Sequence, residues 1–259
     1  HRDLHSFPTR RSSDLLLLCL YLLLPGLVQS AEVRVAVATN FAPTLQRLAE
    51  AFVAETGHRL RISSASTGKH YAQIRNGAAF DVFLAADVER AARLAREGLG
   101  VAGSGFVYAE GRLALWVPGA DRIDDPLRLL AADGLTRLAI ANPRLAPYGQ
   151  AAREVLVAWG LWDALQGRLV RGENVGQAFQ FVATGNAPAG LIALSQLLAY
   201  DARRRGAHRV VPASLHAPIR QQALLLRSSP AAEAFMRFLK GDQAADVIRD
   251  AGYRVPERS

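Results

Sequence analysis

Ala38-Thr39-Asn40-Phe41-Ala42-Pro43-Thr44-Leu45 joins two unlike patterns. Before it, Val33-Arg34-Val35-Ala36-Val37-Ala38 reads as a buried strand. After it, Leu45, Leu48, Ala49, Phe52 and Val53 recur at helical spacing. Thr39 and Asn40 supply a hydroxyl and an amide at the helix start, and Pro43 suits a first turn whose N–H groups have no intrahelical acceptor. A strand that feeds a helix in this way turns unpaired N–H groups and the positive end of a dipole outward, which favours an anion. Two readings of Asn40 stay open at this point. It is a helix cap, since Asn is a preferred capping residue, or it belongs to an anion site. The second reading depends on the same arrangement recurring along the chain.

The chain has 259 residues, half of them hydrophobic, enough for one large or two modest domains. Residues His1 to Asp14 show no apolar periodicity and are read as a foreign leader. Arg10 and Arg11 then precede an apolar run from Leu15 to Leu24, followed by Pro25-Gly26 and the small residues at Val28-Gln29-Ser30. This is expected to be a signal peptide removed after about residue 30. A retained membrane anchor is the rival reading, against which the run is short. The single cysteine, Cys19, lies inside the run, so the mature chain is expected to have no disulfide or thiolate chemistry. Export without disulfides points to a bacterial periplasm. The first 30 residues carry three arginines and two aspartates, which leaves a mature net charge of +7. That balance favours anionic partners in general. It does not make a nucleic-acid binder, because Arg203-Arg204-Arg205 stands alone as a basic run and reads as a solvated helix end.

Beyond Gly57, which stops the first helix, Arg59 to Ser63 reads as a strand, and Ser64-Ala65-Ser66-Thr67-Gly68-Lys69 as a hydroxyl-rich turn into a helix. Asp81 to Asp87 is a third strand with a polar end, and Val88 to Gly98 a helix. Strands at Phe106 to Ala109 and Arg112 to Val117 flank Glu110-Gly111, where the chain is expected to cross into a second lobe. Leu138 to Ala141 leads through Asn142-Pro143-Arg144-Leu145-Ala146-Pro147-Tyr148-Gly149 into a helix from Gln150. Leu169 to Arg171 leads through Gly172-Glu173-Asn174-Val175-Gly176-Gln177 into another. Ala189 to Ala193 is a buried strand, Ser195 to Arg205 a helix, and Ile219 to Arg227 a long strand returning to the first lobe. Two helices, Pro230 to Lys240 and Asp242 to Ala251, finish the chain. Alternating strands and helices with short connections predict an α/β architecture of mostly parallel sheets. In such sheets ligands collect where strands end and helices begin. Four junctions could therefore converge on one cleft between two lobes.

Ala38-Thr39-Asn40-Phe41, Ser63 to Gly68 with Tyr71-Ala72-Gln73-Ile74, and Asp81 to Asp87 resemble the periplasmic molybdate-binding proteins of bacterial ABC importers. So do Asn142 to Gly149, Glu173 to Ala178 and the ending from Lys240-Gly241 to Tyr253. The resemblance covers about Ala31 to Pro256. It implies a type II periplasmic binding protein fold with two hinge strands: residues 31–111 and 221–259 in one lobe, 112–220 in the other. It implies one tetrahedral oxyanion held by Thr39, Asn40, Thr67, Tyr148 and Val175. Thr39 and Thr67 would offer hydroxyls as well as backbone N–H groups; Asn40, Tyr148 and Val175 would act mainly through backbone N–H. It further implies a membrane permease as partner, a monomer, no nucleic acid, no catalytic residue, no cofactor and no direct cation ligand. Some family members use a tyrosine hydroxyl where this chain has Ala193, and Tyr148 could supply that hydroxyl instead.

An all-donor site suits a dianion that offers acceptors only. Molybdate and tungstate have nearly the same size and charge, so both are expected to bind. A phosphate that keeps a proton would want an acceptor; Glu173, the only carboxylate in the turns, is expected to point away. The rivals are a receptor for sulfate, phosphate or an organic acid, the effector-binding half of a transcription regulator, and an enzyme on the same fold. His58, His70, His208 and His216 are scattered without metal spacing, and no GxSxG motif occurs. Asp81 and Asp87 could do acid–base work, but are expected to cap locally. Phe41, Trp116, Trp159 and Trp162 are expected in the core or at the rim rather than stacked on a ligand.

Overall fold

The computed structural model describes residues 30–256. The leader and the signal-peptide run lie outside the described residues. Contacts divide the chain at Ser30/Ala31, and the unit from Ala31 onward carries both sheets.

Ten strands form two five-stranded sheets, each flanked by helices. The first sheet holds β1 (Glu32–Ala38), β2 (Arg59–Ala65), β3 (Val82–Ala85), β4 (Phe106–Gly111) and β10 (Ile219–Leu225), in the order β2-β1-β3-β10-β4. The second holds β5 (Leu113–Val117), β6 (Leu138–Ala141), β7 (Leu169–Gly172), β8 (Ala189–Ala193) and β9 (Ala207–Val210), in the order β7-β6-β8-β5-β9. The chain crosses between sheets at Arg112 and again between β9 and β10. Each sheet has the same plan. Three parallel strands pair in register, Val35 against Ile62 and Val82 in one, Leu138 against Leu169 and Ala189 in the other. The remaining strands bring antiparallel pairings: β10 with β3 and β4, and β5 with β8 and β9. Both sheets are therefore mixed, and parallel pairing is confined to the βαβ part of each. The reason is connectivity: strands that leave or enter a lobe need no helical crossover and can run antiparallel.

The helices are α1 (Ala42–Thr56), α2 (Thr67–Arg75), α3 (Val88–Arg96), α4 (Pro126–Ala131), α5 (Pro147–Ala158), α6 (Val175–Ala183), α7 (Leu194–Leu198), α8 (Pro230–Leu239) and α9 (Asp242–Asp250). β1 is buried on both faces, with Val33, Val35, Ala36 and Val37 all shielded; a central parallel strand covered by helices has no solvent face. α1 buries Leu45, Leu48 and Phe52 and ends at Gly57 in the left-handed conformation, φ 73°, which glycine adopts without a Cβ penalty. Phe52 meets Phe235 of α8 edge-on, ring centres 5.3 Å apart. In the second lobe Trp116 of β5 stacks on Phe179 of α6 at 5.0 Å. Phe41 and Trp116 are fully buried, and Trp159 and Trp162 pack partly buried against the second core.

The helix expected from Ser195 to Arg205 is much shorter. α7 stops at Leu198, and a separate turn of 3-10 helix covers Ala202–Arg204. The Asp201 carboxylate accepts from the Arg203 N–H and starts that new turn, while the Arg205 guanidinium donates to the Leu198 and Tyr200 carbonyls left open by the break. Of the two aspartates at the ends of β3, Asp87 caps α3 by accepting from the Arg90 N–H at 2.8 Å. Asp81 does not cap a helix. It accepts from the Arg34 N–H at 2.8 Å and pairs with the Arg34 guanidinium at 3.1 Å, tying β3 to β1.

Burial pushes the Asp81 carboxyl up, but its hydrogen bonds from Arg34 and the Arg34 charge outweigh this and hold it below the ordinary value of 3.8. A carboxyl depressed on folding stabilises above its ordinary value, and that contribution is lost as pH falls through the depressed one. Asp81→Asn is expected to melt below the wild type at pH 7, with the gap closing as the pH is taken below 3.8. Melting curves across that range check it; a gap independent of pH would contradict the ion-pair account.

Candidate functional site

Four strand ends in equivalent places feed four helices: β1 into α1 and β2 into α2 in the first lobe, β6 into α5 and β7 into α6 in the second. Each junction holds a buried residue whose backbone N–H has no acceptor among the described residues: Asn40, Thr67, Tyr148 and Val175. Thr67 and Val175 are the first residues of their helices and Tyr148 the second, so their N–H groups lie ahead of the first intrahelical bond. Several nearby N–H groups are taken. Ser66 Oγ accepts from Lys69 and Asn174 Oδ1 from Gln177, while the Ala146 carbonyl accepts from Gly149 and Gln150.

Asn40 is not a helix cap. α1 begins after Phe41 with no side-chain cap, and the Asn40 amide instead donates to Gln221 Oε1 at 3.0 Å and to Tyr253 Oη at 3.1 Å. Thr39 differs from expectation in one respect. Its N–H is spent on the Ala65 carbonyl at 3.1 Å, because the β1–β2 ladder extends one residue past the strand end. Its hydroxyl oxygen accepts from the Gly176 N–H at 3.2 Å, which leaves the Thr39 hydroxyl proton to donate. Thr67 is placed likewise: Oγ1 accepts from the Ala86 N–H at 3.0 Å and keeps its own proton.

These contacts also tie the junctions to one another across the lobes. Thr39 meets Gly176, so the first junction touches the fourth. The Gly68 N–H donates to the Leu145 carbonyl at 2.9 Å, joining the second to the third. Gln221 accepts from Asn40 and donates to Tyr148 Oη at 3.4 Å, joining the first to the third. Lys69 faces Glu173 at 3.9 Å across the rim, joining the second to the fourth. All five residues singled out from the sequence thus lie in turns that meet in one place. Two glycines permit this approach. A Cβ on Gly68 would sit 2.8 Å from the Leu145 carbonyl oxygen, and one on Gly176 would sit 3.2 Å from Thr39 Cβ.

The Tyr148 hydroxyl does not stand in for the one absent at Ala193. It is buried against the hinge, beside Gln221 and so close to Gly111 that a Cβ there would collide with it. Burial, with the neighbouring phenols Tyr253 and Tyr108, pushes its pKa well up, so it stays protonated.

Cations sit at the edge of the junctions, where Arg90 Nη2 donates to the Arg144 carbonyl at 3.3 Å. Lys69 and Glu173 are both more than half exposed, and an exposed pair of this kind contributes little. The Arg144 N–H turns back onto Asn142 Oδ1. Positive potential comes from the starts of α1, α2, α5 and α6. Hydroxyl and N–H donors at several helix starts can surround an anion that offers only acceptors. Among the described residues no group of three or more His, Cys, Asp or Glu could hold a metal ion, and no helix is long and apolar enough to cross a membrane.

The sequence reading did not reach the inter-lobe contacts of Gly68, Ser195, Gln221 and Tyr253. Their partners are distant in sequence, Ser195 to Tyr253 being 58 residues apart, and no local pattern announces them.

Comparison with known proteins adds to this geometry. The family model for bacterial extracellular solute-binding proteins matches residues 33–254. The molybdate-binding protein ModA of Azotobacter vinelandii is 45% identical over 234 residues, covering 89% of this chain and 93% of the relative. ModA of Rhodobacter capsulatus is 40% identical over 247 residues, covering 94% and 96%. The solved structure of an Azotobacter vinelandii periplasmic molybdate-binding protein superposes with a TM-score of 0.83 at 42% identity, covering 87% of this chain and 100% of that one.

Gly68→Ala is expected to hold the lobes apart, since its methyl group would press on the Leu145 backbone. Small-angle scattering should show a larger radius of gyration than the wild type with added oxyanion. Equal radii would contradict the tight approach at Gly68.

Proposed function

The chain belongs to the bacterial extracellular solute-binding proteins, and on that premise we propose that it captures molybdate, and tungstate with it, between its two lobes and hands the anion to an ABC permease. The relatives bind a substrate and do no chemistry on it, and this chain is read in the same way: a binding protein, not an enzyme. The observation that carries the ligand assignment is the set of four N–H groups, of the buried residues Asn40, Thr67, Tyr148 and Val175, with no acceptor among the described residues.

In this reading the Thr39 and Thr67 hydroxyls complete the donor set. A fully deprotonated tetrahedral dianion matches it, because every oxygen accepts and none must donate. A hydrogen phosphate would want an acceptor for its proton, and the only carboxylate in the turns is the exposed Glu173, which faces Lys69. Charge is offset by helix starts and by charge-assisted hydrogen bonds, each stronger than its neutral counterpart. Residues 31–111 with 221–259, and 112–220, are the bodies that close. The two segments between the sheets are the hinge. Ligand favours the closed arrangement because only there do the donors of both lobes reach it. A monomer suffices, since all the donors come from one chain. Export to the periplasm accords with the family and with the apolar run before residue 30.

Isothermal calorimetry with molybdate, tungstate, sulfate and phosphate tests the assignment. Tight binding of the first two and weak or no binding of the others is expected; tight sulfate binding without molybdate heat would overturn it. Thr39→Val and Thr67→Val should each weaken molybdate binding by about 1.5–3 kcal/mol, the contribution of one hydrogen bond to a charged group. Wild-type affinity in both variants would remove the hydroxyls from the site.

A further inference from the structure

Behind the junctions lies a buried polar cluster. Asn40 Nδ2 donates to Tyr253 Oη at 3.1 Å, Tyr253 Oη lies 2.8 Å from both Ser195 Oγ and the Asn40 carbonyl, and Ser195 Oγ donates to the same carbonyl at 3.0 Å. Followed head to tail, these bonds leave Asn40 by its side chain and return to it at its backbone. Tyr253 has one proton for two acceptors; given to Ser195 Oγ, it leaves the serine proton for the Asn40 carbonyl and closes the circuit. The second Asn40 amide proton goes to Gln221 Oε1, which also accepts from Tyr108 Oη at 3.0 Å. All members are buried: Asn40 at 1%, Gln221 at 0%, and Tyr253 and Ser195 at 5% exposure. Tyr108 and Tyr253 stay protonated, since burial raises both phenols.

Asn40 and Tyr253 belong to the first lobe, on the β1–α1 turn and at the C-terminal end. Ser195 stands on α7, directly after β8 of the second sheet. It is the member of the loop that arrives with the second lobe. We propose that Ser195 and Tyr253 are positioning residues for oxyanion capture: Tyr253 reaches the Asn40 amide and carbonyl from within the first lobe, Ser195 adds its bond to that carbonyl only when the lobes meet, and closure is thereby coupled to the donor geometry. Residue Asn40 is then held at its side chain, at its carbonyl and, through Phe41 donating to Ala38 at 2.9 Å, at the turn that contains it. Its N–H is left with one orientation, toward the ligand. Closed loops of hydrogen bonds in a dry interior polarise one another, so that breaking one member weakens the rest. The inference rests on the reading of Asn40 as an oxyanion contact.

Calorimetry on Ser195→Ala, Tyr253→Phe, the double variant and Ser195→Thr tests it, run in parallel with molybdate, tungstate and sulfate, alongside melting of the ligand-free proteins. Ser195→Ala should raise the Kd about tenfold, the effect of about one net buried hydrogen bond, and leave ligand-free melting unchanged. The double variant should lose no more than the worse single one, because either substitution opens the loop. Ser195→Thr keeps the hydroxyl and should stay within about threefold of wild type. Wild-type affinity in Ser195→Ala, or losses that multiply to about a hundredfold in the double variant, would overturn the proposal while leaving oxyanion capture intact. Heat in the wild type with sulfate alone would overturn only the ligand assignment, and the loop would then be scored on sulfate. No heat with any of the three oxyanions would overturn both.

Discussion

Four backbone N–H groups, buried at helix starts and lacking any acceptor among the described residues, are the constraint on which this structure turns. Each such group costs about 1–3 kcal/mol when it is shut away from water unpaired. A protein that brings four of them together has built that cost into its closed form, and an anion that accepts from all four removes it. In the proposed reading, ligand and closure are thereby one equilibrium. In the proposed reading the anion is held without a salt bridge. A buried guanidinium would need its own desolvation offset, whereas helix starts supply positive potential already fixed in direction by the backbone.

The two sheets show how one short chain delivers donors from opposite sides. β1 and β6 occupy the same place in their sheets, as do β2 and β7, and the four junctions come directly after these four strands. Two copies of one βαβ plan, facing each other across a hinge, present equivalent turns to a shared space. The glycines at 68 and 176 let the turns approach to contact distance. The crossing strands pair antiparallel at one end of each sheet, and Gln221 of β10 bonds Asn40 of the buried loop.

Much of this was legible in the sequence, because strand–turn–helix junctions are written locally. Apolar periodicity changes from strand to helix around Thr39, Thr67, Tyr148 and Val175, and hydroxyls, proline or glycine mark each change. What was not legible depends on residues far apart in the chain. Nothing near Asn40 says that its amide will pass over the helix start beside it and reach Gln221 and Tyr253 instead. Nothing near Thr39 says that its N–H will extend a ladder to Ala65. The break after Leu198 was hidden for a different reason: Ser195 to Arg205 has the composition of a helix, and only the Asp201 side chain, competing for a backbone N–H, ends it. The antiparallel strands were equally invisible, since apolar runs such as Leu113 to Val117 carry no mark of direction.

The central claim is that backbone amides, rather than a cation, hold the anion. Amide NMR spectra of the protein titrated with molybdate test this most directly. The account predicts that the proton resonances of Asn40, Thr67, Tyr148 and Val175 move downfield together and saturate at one equivalent. Shifts confined to the surroundings of Lys69 and Arg144, with those four amides unmoved, would contradict it.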